Sequence, residues 1–192
     1  VDLGNQAGDT LNVGSLGFTS TGPVNITEDS STDLGGTSTA GSLTLTSPGA
    51  ITSAPAASVN VTGATSLTGT SIALGNQPGD LFQFGALTFT ASVGGVTIEE
   101  DSGIDLAGAN TAPGPIVLTS VDAVTAGQDI VLPAGSTVTS ATSSVALNAG
   151  DNATLGGNVT SNLATTINVD FGDAESPAGE LAPGSGGQVF IT

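Results

Sequence analysis

The densest groups of reactive side chains in this sequence are two acidic clusters, Glu28-Asp29 with Asp33 and Glu99-Glu100-Asp101 with Asp105. Each follows an alternating apolar stretch and leads into a Ser/Gly turn. Crowded carboxylates in a turn are the hard oxygen ligands that Ca²⁺ prefers, with backbone carbonyls completing the shell. Glu28, Asp29, Asp33, Glu99, Glu100, Asp101 and Asp105 are therefore candidate Ca²⁺ ligands, and no other cofactor is required. Neither copy fits an EF-hand loop or a Gly-Gly-X-Gly-X-Asp nonapeptide. A solvated turn that keeps a sheet edge soluble accounts for the same residues.

The remaining composition excludes much chemistry. The 192 residues include 17 acids and no Lys, Arg or His, so the formal net charge is −17. Without His the usual general base and the commonest transition-metal ligand are gone. Without Cys there is no thiol nucleophile, disulfide or zinc–thiolate site. Without Lys or Arg there is no phosphate clamp, and nucleic acid and anionic membranes are repelled. Two carboxylates would suffice for a glycosidase, but there is no Trp or Tyr to stack a sugar and no Arg, Lys or His to stabilise charge. The expectation is a non-enzymatic protein that binds no nucleic acid and inserts in no membrane. No apolar run approaches the roughly 20 residues of a membrane span. A basic segment followed by an apolar one is also missing, and the chain starts at Val1. It reads as an excerpt or a mature fragment of a longer polypeptide.

A second motif occurs twice. Leu3-Gly4-Asn5-Gln6-Ala7-Gly8-Asp9 returns 71 residues later as Leu74-Gly75-Asn76-Gln77-Pro78-Gly79-Asp80. Its Gly, Asn and Asp residues are turn formers, and a hydrogen-bonded Asn ladder inside a corner is the expected use, with a cation contact at Asp9 or Asp80 as the other reading. The similarity continues. Val24-Asn25-Ile26 meets Val96-Thr97-Ile98, Asp33-Leu34 meets Asp105-Leu106, and Leu43-Thr44-Leu45-Thr46-Ser47 meets Ile116-Val117-Leu118-Thr119-Ser120. The offset grows from 71 to 73 beside Gly94 and Pro113, where turns absorb insertions. The chain thus divides into repeat 1 (1–71), repeat 2 (72–144) and a divergent partial repeat 3 (145–192) with a Gly/Pro-rich insertion over 172–187, all in one continuous solenoid.

The elements that position these residues are short strands. Triplets with period-2 alternation, such as Val24-Asn25-Ile26, Leu43-Thr44-Leu45 and Val59-Asn60-Val61, recur about every eight residues and are bounded by turn formers. Nine of them fall in each long repeat. That gives three coils of three strands, about 24 residues per coil, the size of a parallel β-helix coil. Eight coils would form a rod on the order of 40 Å long at the spacing of stacked strands. No segment shows a sustained helical period, so no α-helix is expected. A pair of β-sandwiches would also give short strands, but with longer strands and core aromatics, and the chain has only six Phe.

Two stretches carry a resemblance. Gly41-Ser42-Leu43-Thr44-Leu45-Thr46-Ser47-Pro48-Gly49-Ala50-Ile51-Thr52 and Asn152-Ala153-Thr154-Leu155-Gly156-Gly157-Asn158-Val159-Thr160 resemble, in style of repeat, filamentous-haemagglutinin-like giant surface proteins and autotransporter passengers. The resemblance implies a right-handed parallel β-helix in the stalk of a secreted bacterial protein used in adhesion or surface structure. It transfers no residue-level binding site.

The combined expectation is an all-β parallel solenoid serving as a stalk, fibre or surface-layer element, extracellular and at the cell surface. Its partners would be copies of itself or neighbouring repeats of the same polypeptide, with assembly into filaments. The rival expectation is an adhesin that recognises a surface glycan or host protein through a lateral face. Thr-X-Thr pairs at Thr44-Leu45-Thr46, Thr88-Phe89-Thr90 and Thr137-Val138-Thr139 could order water on a flat face and bind ice, although Thr is also an ordinary outward β-former. Sequons at Asn25, Asn60, Asn152 and Asn158 are acceptors only in a compartment that glycosylates.

Overall fold

The computed structural model describes residues 1–6, 8–123, 127–172 and 187–192. Among them all regular structure is β, with no helix, and every strand pairing is parallel. Residues 173–186 of the Gly/Pro-rich insertion, and Ala7 of the first turn motif, lie outside the described residues.

The chain winds as a three-sided solenoid. One side stacks Asp2–Leu3, Pro23–Thr27, Ser42–Thr46, the second part of Ser58–Gly69, the second part of Leu81–Ala91, Ala109–Ala112, Thr137–Ser140 and Asn158–Ser161. The next side is a seven-stranded sheet from Thr32–Leu34 to Thr165–Asn168. The third side begins with Thr37–Ala40 and the opening parts of the two long strands. It continues as the four-stranded sheet Ile104–Asp105, Ile130–Leu132, Ala153–Leu155 and Val189–Ile191. Inward residues are Val, Leu, Ile and Phe at every second position, so each coil lays a thin apolar layer on its neighbours. Phe82 and Phe84 are both inward and pack edge-on, with ring centroids 5.8 Å apart.

Register gives a coil nearer 22 residues than 24, in about seven turns. Leu43 sits on Thr65 and Thr65 on Leu87, steps of 22 residues each. The difference traces to one strand. Thr37–Ala40 turns Ser38 and Ala40 inward, so it lacks the apolar alternation that marks the other strands, and the first long repeat holds ten sides of the coil where the second holds nine.

The duplication therefore spans three and a third turns. Pro23–Thr27 lies on the first side, while its counterpart Val96–Glu100 lies on the second. Thr32–Leu34 lies on the second side and its counterpart Ile104–Asp105 on the third. The repeated sequence is thus carried around the rod by one face; the first- and second-side ladders continue through it, while on the third side the opening part of Leu81–Ala91 and Ile104–Asp105 belong to separate sheets. Val145, which aligns with Ile72, lies on the same side as Ile72.

At the corner between the third and first sides, glycines stack. A Cβ on Gly63 would run into the Gly41 carbonyl, and one on Gly85 into the carbonyls of Thr62 and Gly63. Close backbone approach there lets Ser58–Gly69 and Leu81–Ala91 pass the corner as single strands.

Candidate functional site

The acidic clusters sit at strand ends, the first after Pro23–Thr27 on the first side and the second at the end of Val96–Glu100 on the second, where the chain turns to the next side. Alternation continues past the apolar residues: Ile98 points in, Glu99 out and Glu100 in, and likewise Ile26, Thr27 and Glu28. Glu28 and Glu100 are consequently buried. Glu100 Oε2 accepts the Phe84 N–H at 2.8 Å, and Asp101 Oδ2 accepts the Phe82 N–H at 2.8 Å. The first copy repeats the arrangement, with Glu28 Oε2 accepting the Val13 N–H at 3.4 Å and Asp29 Oδ2 the Leu11 N–H at 2.7 Å. The hydroxyls of Ser30 and Ser102 each donate to the neighbouring glutamate at 3.4 Å. In both copies two successive carboxylates replace the backbone carbonyls that the next coil does not supply.

The second oxygen of each glutamate is different. Glu28 Oε1 and Glu100 Oε1 are buried and have no partner among the described residues. Burial pushes the Glu100 carboxyl up to about 8, against the lowering effect of the Phe84 N–H and the Ser102 hydroxyl, with Asp105 and Asp101 adding to the rise. Glu99 is also raised, by partial burial and then by Asp101 and Asp80.

The remaining cluster members diverge. Asp33 accepts the Thr52 hydroxyl at 2.9 Å on the outer surface of the second side, and Asp105 is exposed on the third. Among the described residues no group of three or more His, Cys, Asp or Glu is disposed to hold a metal ion. The chemistry visible in the clusters is hydrogen-bond acceptance from strand backbone.

The duplicated turn motif forms a corner. Gly75 has φ +75°, and a Cβ there would meet the Glu99 carbonyl. Gln77-Pro78-Gly79-Asp80 closes with the Asp80 N–H on the Gln77 carbonyl and Gly79 at φ +80°, the left-handed position Gly supplies. Asp80 is buried and accepts from the Ser53 hydroxyl at 2.6 Å, the Ala57 N–H at 3.0 Å and the Gln77 N–H at 3.2 Å. Its counterpart Asp9 is exposed and accepts from the Gln6 N–H at 3.0 Å. Asn5 and Asn76 bond locally and form no ladder between coils. A ladder does occur elsewhere, running from Asn168 to Asn148 at 2.8 Å and from Asn148 to the Thr119 hydroxyl at 3.2 Å.

Sequence reasoning missed three acceptors. Asn110 is buried, takes the Phe89 N–H at 3.0 Å and donates to the carbonyls of Ala107 and Thr137. Asp151 caps Gly127 and Gln128, and Asp129 takes both nitrogens of Asn152. None stands in an apolar alternation that would mark it. An open cleft of about 450 Å³ lies on the second side, lined by Glu99, Val117, Thr119, Asn148 and Phe171 among others.

A family model described as repeats of unknown function (DUF5649) matches residues 21–88, about a third of the chain. That segment covers three turns, from the strand Pro23–Thr27 to the rung of Leu87. No curated protein and no solved structure matches the chain. The repeat character and the solenoid are thereby established, and no link joins the chain to filamentous haemagglutinins or autotransporter passengers.

Proposed function

We propose that this chain is a section of an acidic stalk or fibre at the outer surface of a bacterial cell, a non-enzymatic spacer whose length is set by its number of coils. The observation that supports this reading is the duplication itself. A unit of 71 to 73 residues has been copied with its strands shifted by one face, and the ladders of the first and second sides run through it. Growth by duplication needs no whole number of turns when each coil contacts only its neighbours. Such a rod gains length without a new fold.

Its partners are further repeats of the same polypeptide or other copies of it. Leu3, Phe190 and Ile191 are exposed on the outermost rungs, where another repeat would continue the ladder and copies could stack into filaments by non-closing contacts. Antibody against this chain, applied to intact cells of the producing bacterium, is expected to decorate fibres outside the envelope. Labelling only after permeabilisation would overturn the reading.

A further inference from the structure

One face of the rod differs from the others. Along the first side the outward residue of each rung is Thr27, Thr46, Thr68, Thr90, Thr111, Thr139 and Thr160, aligned in one unbroken column. A second outward column, two residues earlier, begins Asn25, Thr44, Ser66 and Thr88 and ends Ala109, Thr137 and Asn158. The Thr of the first column make no side-chain hydrogen bond to any described residue.

Ordinary β-propensity does not account for the column. The equivalent outward column of the second side reads Asp33, Thr52, Ala73, Thr97, Val117, Ala146 and Thr166. That column mixes charged, apolar and hydroxyl residues as a merely solvated face does. Charge gives a second, independent distinction. The chain carries −17, yet from Pro23 onward no strand of the first side contributes an Asp or Glu to this face. The second side carries Asp33 and Glu99, and the third carries Asp105.

We infer that this neutral threonine face binds the surface of a water crystal, making the rod an ice-adhering element. The first-column hydroxyls repeat about every 4.8 Å along the rod, and at the rungs of Thr44, Ser66, Thr88 and Thr137 a second hydroxyl residue lies about 6.7 Å across it. These spacings lie close to oxygen spacings in ordinary ice. Each Thr hydroxyl has one donor and two acceptor positions, and β-branching holds χ1 nearly fixed. The array is therefore ordered before contact, and little rotamer entropy is lost on binding. The absence of carboxylates matters, because an ionised group holds its own hydration shell and is rejected by a growing crystal.

Two other occupants fit less well. A second copy would bury on the order of 300 Å² from each partner across this face, well under the roughly 1,200 Å² total of a specific interface. A crystalline polysaccharide calls for aromatic platforms. Phe18, Phe82, Phe84 and Phe89 are buried, and the exposed Phe171 and Phe190 lie outside the strands of this face.

The test is partition of the chain into a slowly grown ice front, with ice itself as the probe. The unaltered chain is expected to enrich in the ice and to shape crystals. The pair Thr68→Lys and Thr90→Lys, both at exposed positions in mid-column, is expected to lower enrichment about tenfold or more. Asn60→Lys, exposed on the third side, is expected to leave it unchanged. Thr68→Val with Thr90→Val keeps the side-chain shape and is expected to weaken enrichment through loss of the hydroxyls alone. Circular dichroism verifies that each variant keeps its β signal. Exclusion of the unaltered chain from ice overturns the inference, as does equal partition of the Lys pair and Asn60→Lys. Retention on crystalline chitin or cellulose without ice enrichment, or a doubled mass in sedimentation that the Lys pair abolishes, overturns it in favour of those occupants.

Discussion

Glu100 stands in for a backbone carbonyl above Phe84: its Oε2 accepts the Phe84 N–H at 2.8 Å while its Oε1 is buried without a partner. Truncation to Ala orphans a buried strand N–H, which costs about 1–3 kcal/mol. Glu100→Gln keeps the acceptor and removes the charge. At pH 9 the Gln variant is expected to be more stable than the unaltered chain, and the Ala variant less stable than the Gln variant. Urea unfolding followed by circular dichroism measures both, and a Gln variant weaker than Ala would contradict the acceptor role.

Stability should fall with rising pH across one window. The folded Glu100 carboxyl has its midpoint near 8, above the ordinary 4.5. Between those values the folded state binds a proton that the unfolded state has released, so the slope of unfolding free energy against pH is negative. Its contribution is complete below about 4.5 and is lost as pH climbs through about 8. The raised Glu99 carboxyl adds in the same direction. Melting of the unaltered chain minus that of Glu100→Gln, measured from pH 4 to 10, isolates the term. A flat difference would rule it out.

The two corners should differ in sensitivity. Asp80→Ala removes three hydrogen bonds from a buried carboxylate, and the expected loss is about 2–4 kcal/mol by the usual cost of orphaned buried donors. Asp9→Ala removes one exposed bond and is expected to cost under about 0.5 kcal/mol. Gly75→Ala forces a Cβ toward the Glu99 carbonyl at a positive φ, so it is expected to cost more than about 1 kcal/mol. Denaturant midpoints of the three variants give the order directly.

Calcium and magnesium should act alike. Four of the seven clustered carboxylates, those of Glu28, Asp29, Glu100 and Asp101, accept strand N–H groups, so the expected action of either cation is to screen −17. Equal rises in melting midpoint are expected in matched Ca²⁺ and Mg²⁺ after EGTA treatment. A rise specific to Ca²⁺ would signal binding to the folded state.

Most of the architecture is legible in the alternation of Val24-Asn25-Ile26 and its kin, and in the offset that repeats it. The turn count is not, because Thr37–Ala40 buries Ser38 and Ala40. Ser38 is tolerated inside since its hydroxyl accepts the Phe18 N–H at 3.2 Å. That strand hides among turn-like residues, and with it the one-face shift between the first two repeats. The acidic clusters stand out by composition, yet their inward member was legible too. Counting by two from Ile26 and Ile98 reaches Glu28 and Glu100. Composition argues for a solvated turn, and parity, the stronger physical constraint, argues for burial. The Thr column, by contrast, needs register between coils, which pairs within single strands do not reveal.

Register also makes the rod divisible. Leu43, Thr65 and Leu87 occupy one inward column at steps of 22 residues. Removing Thr65–Ala86 joins Ala64 to Leu87 and sets Leu87 on Leu43. The deletion also discards Thr65, whose buried hydroxyl has no partner. The carboxylates of Asp101 and Glu100 would then face the N–H groups of Val59 and Val61, which are in register with Phe82 and Phe84. The shortened chain is expected to fold, to lose about one coil's share of stability (about 1–3 kcal/mol at the usual value per residue), and to shorten by about 4.8 Å. Removing Thr65–Gly75 is half a coil and puts later strands on the wrong side with inverted parity, so it is expected to abolish cooperative melting. Circular dichroism melts and small-angle scattering compare the two deletions. Equal damage by both would show that stability is not a sum over neighbouring coils.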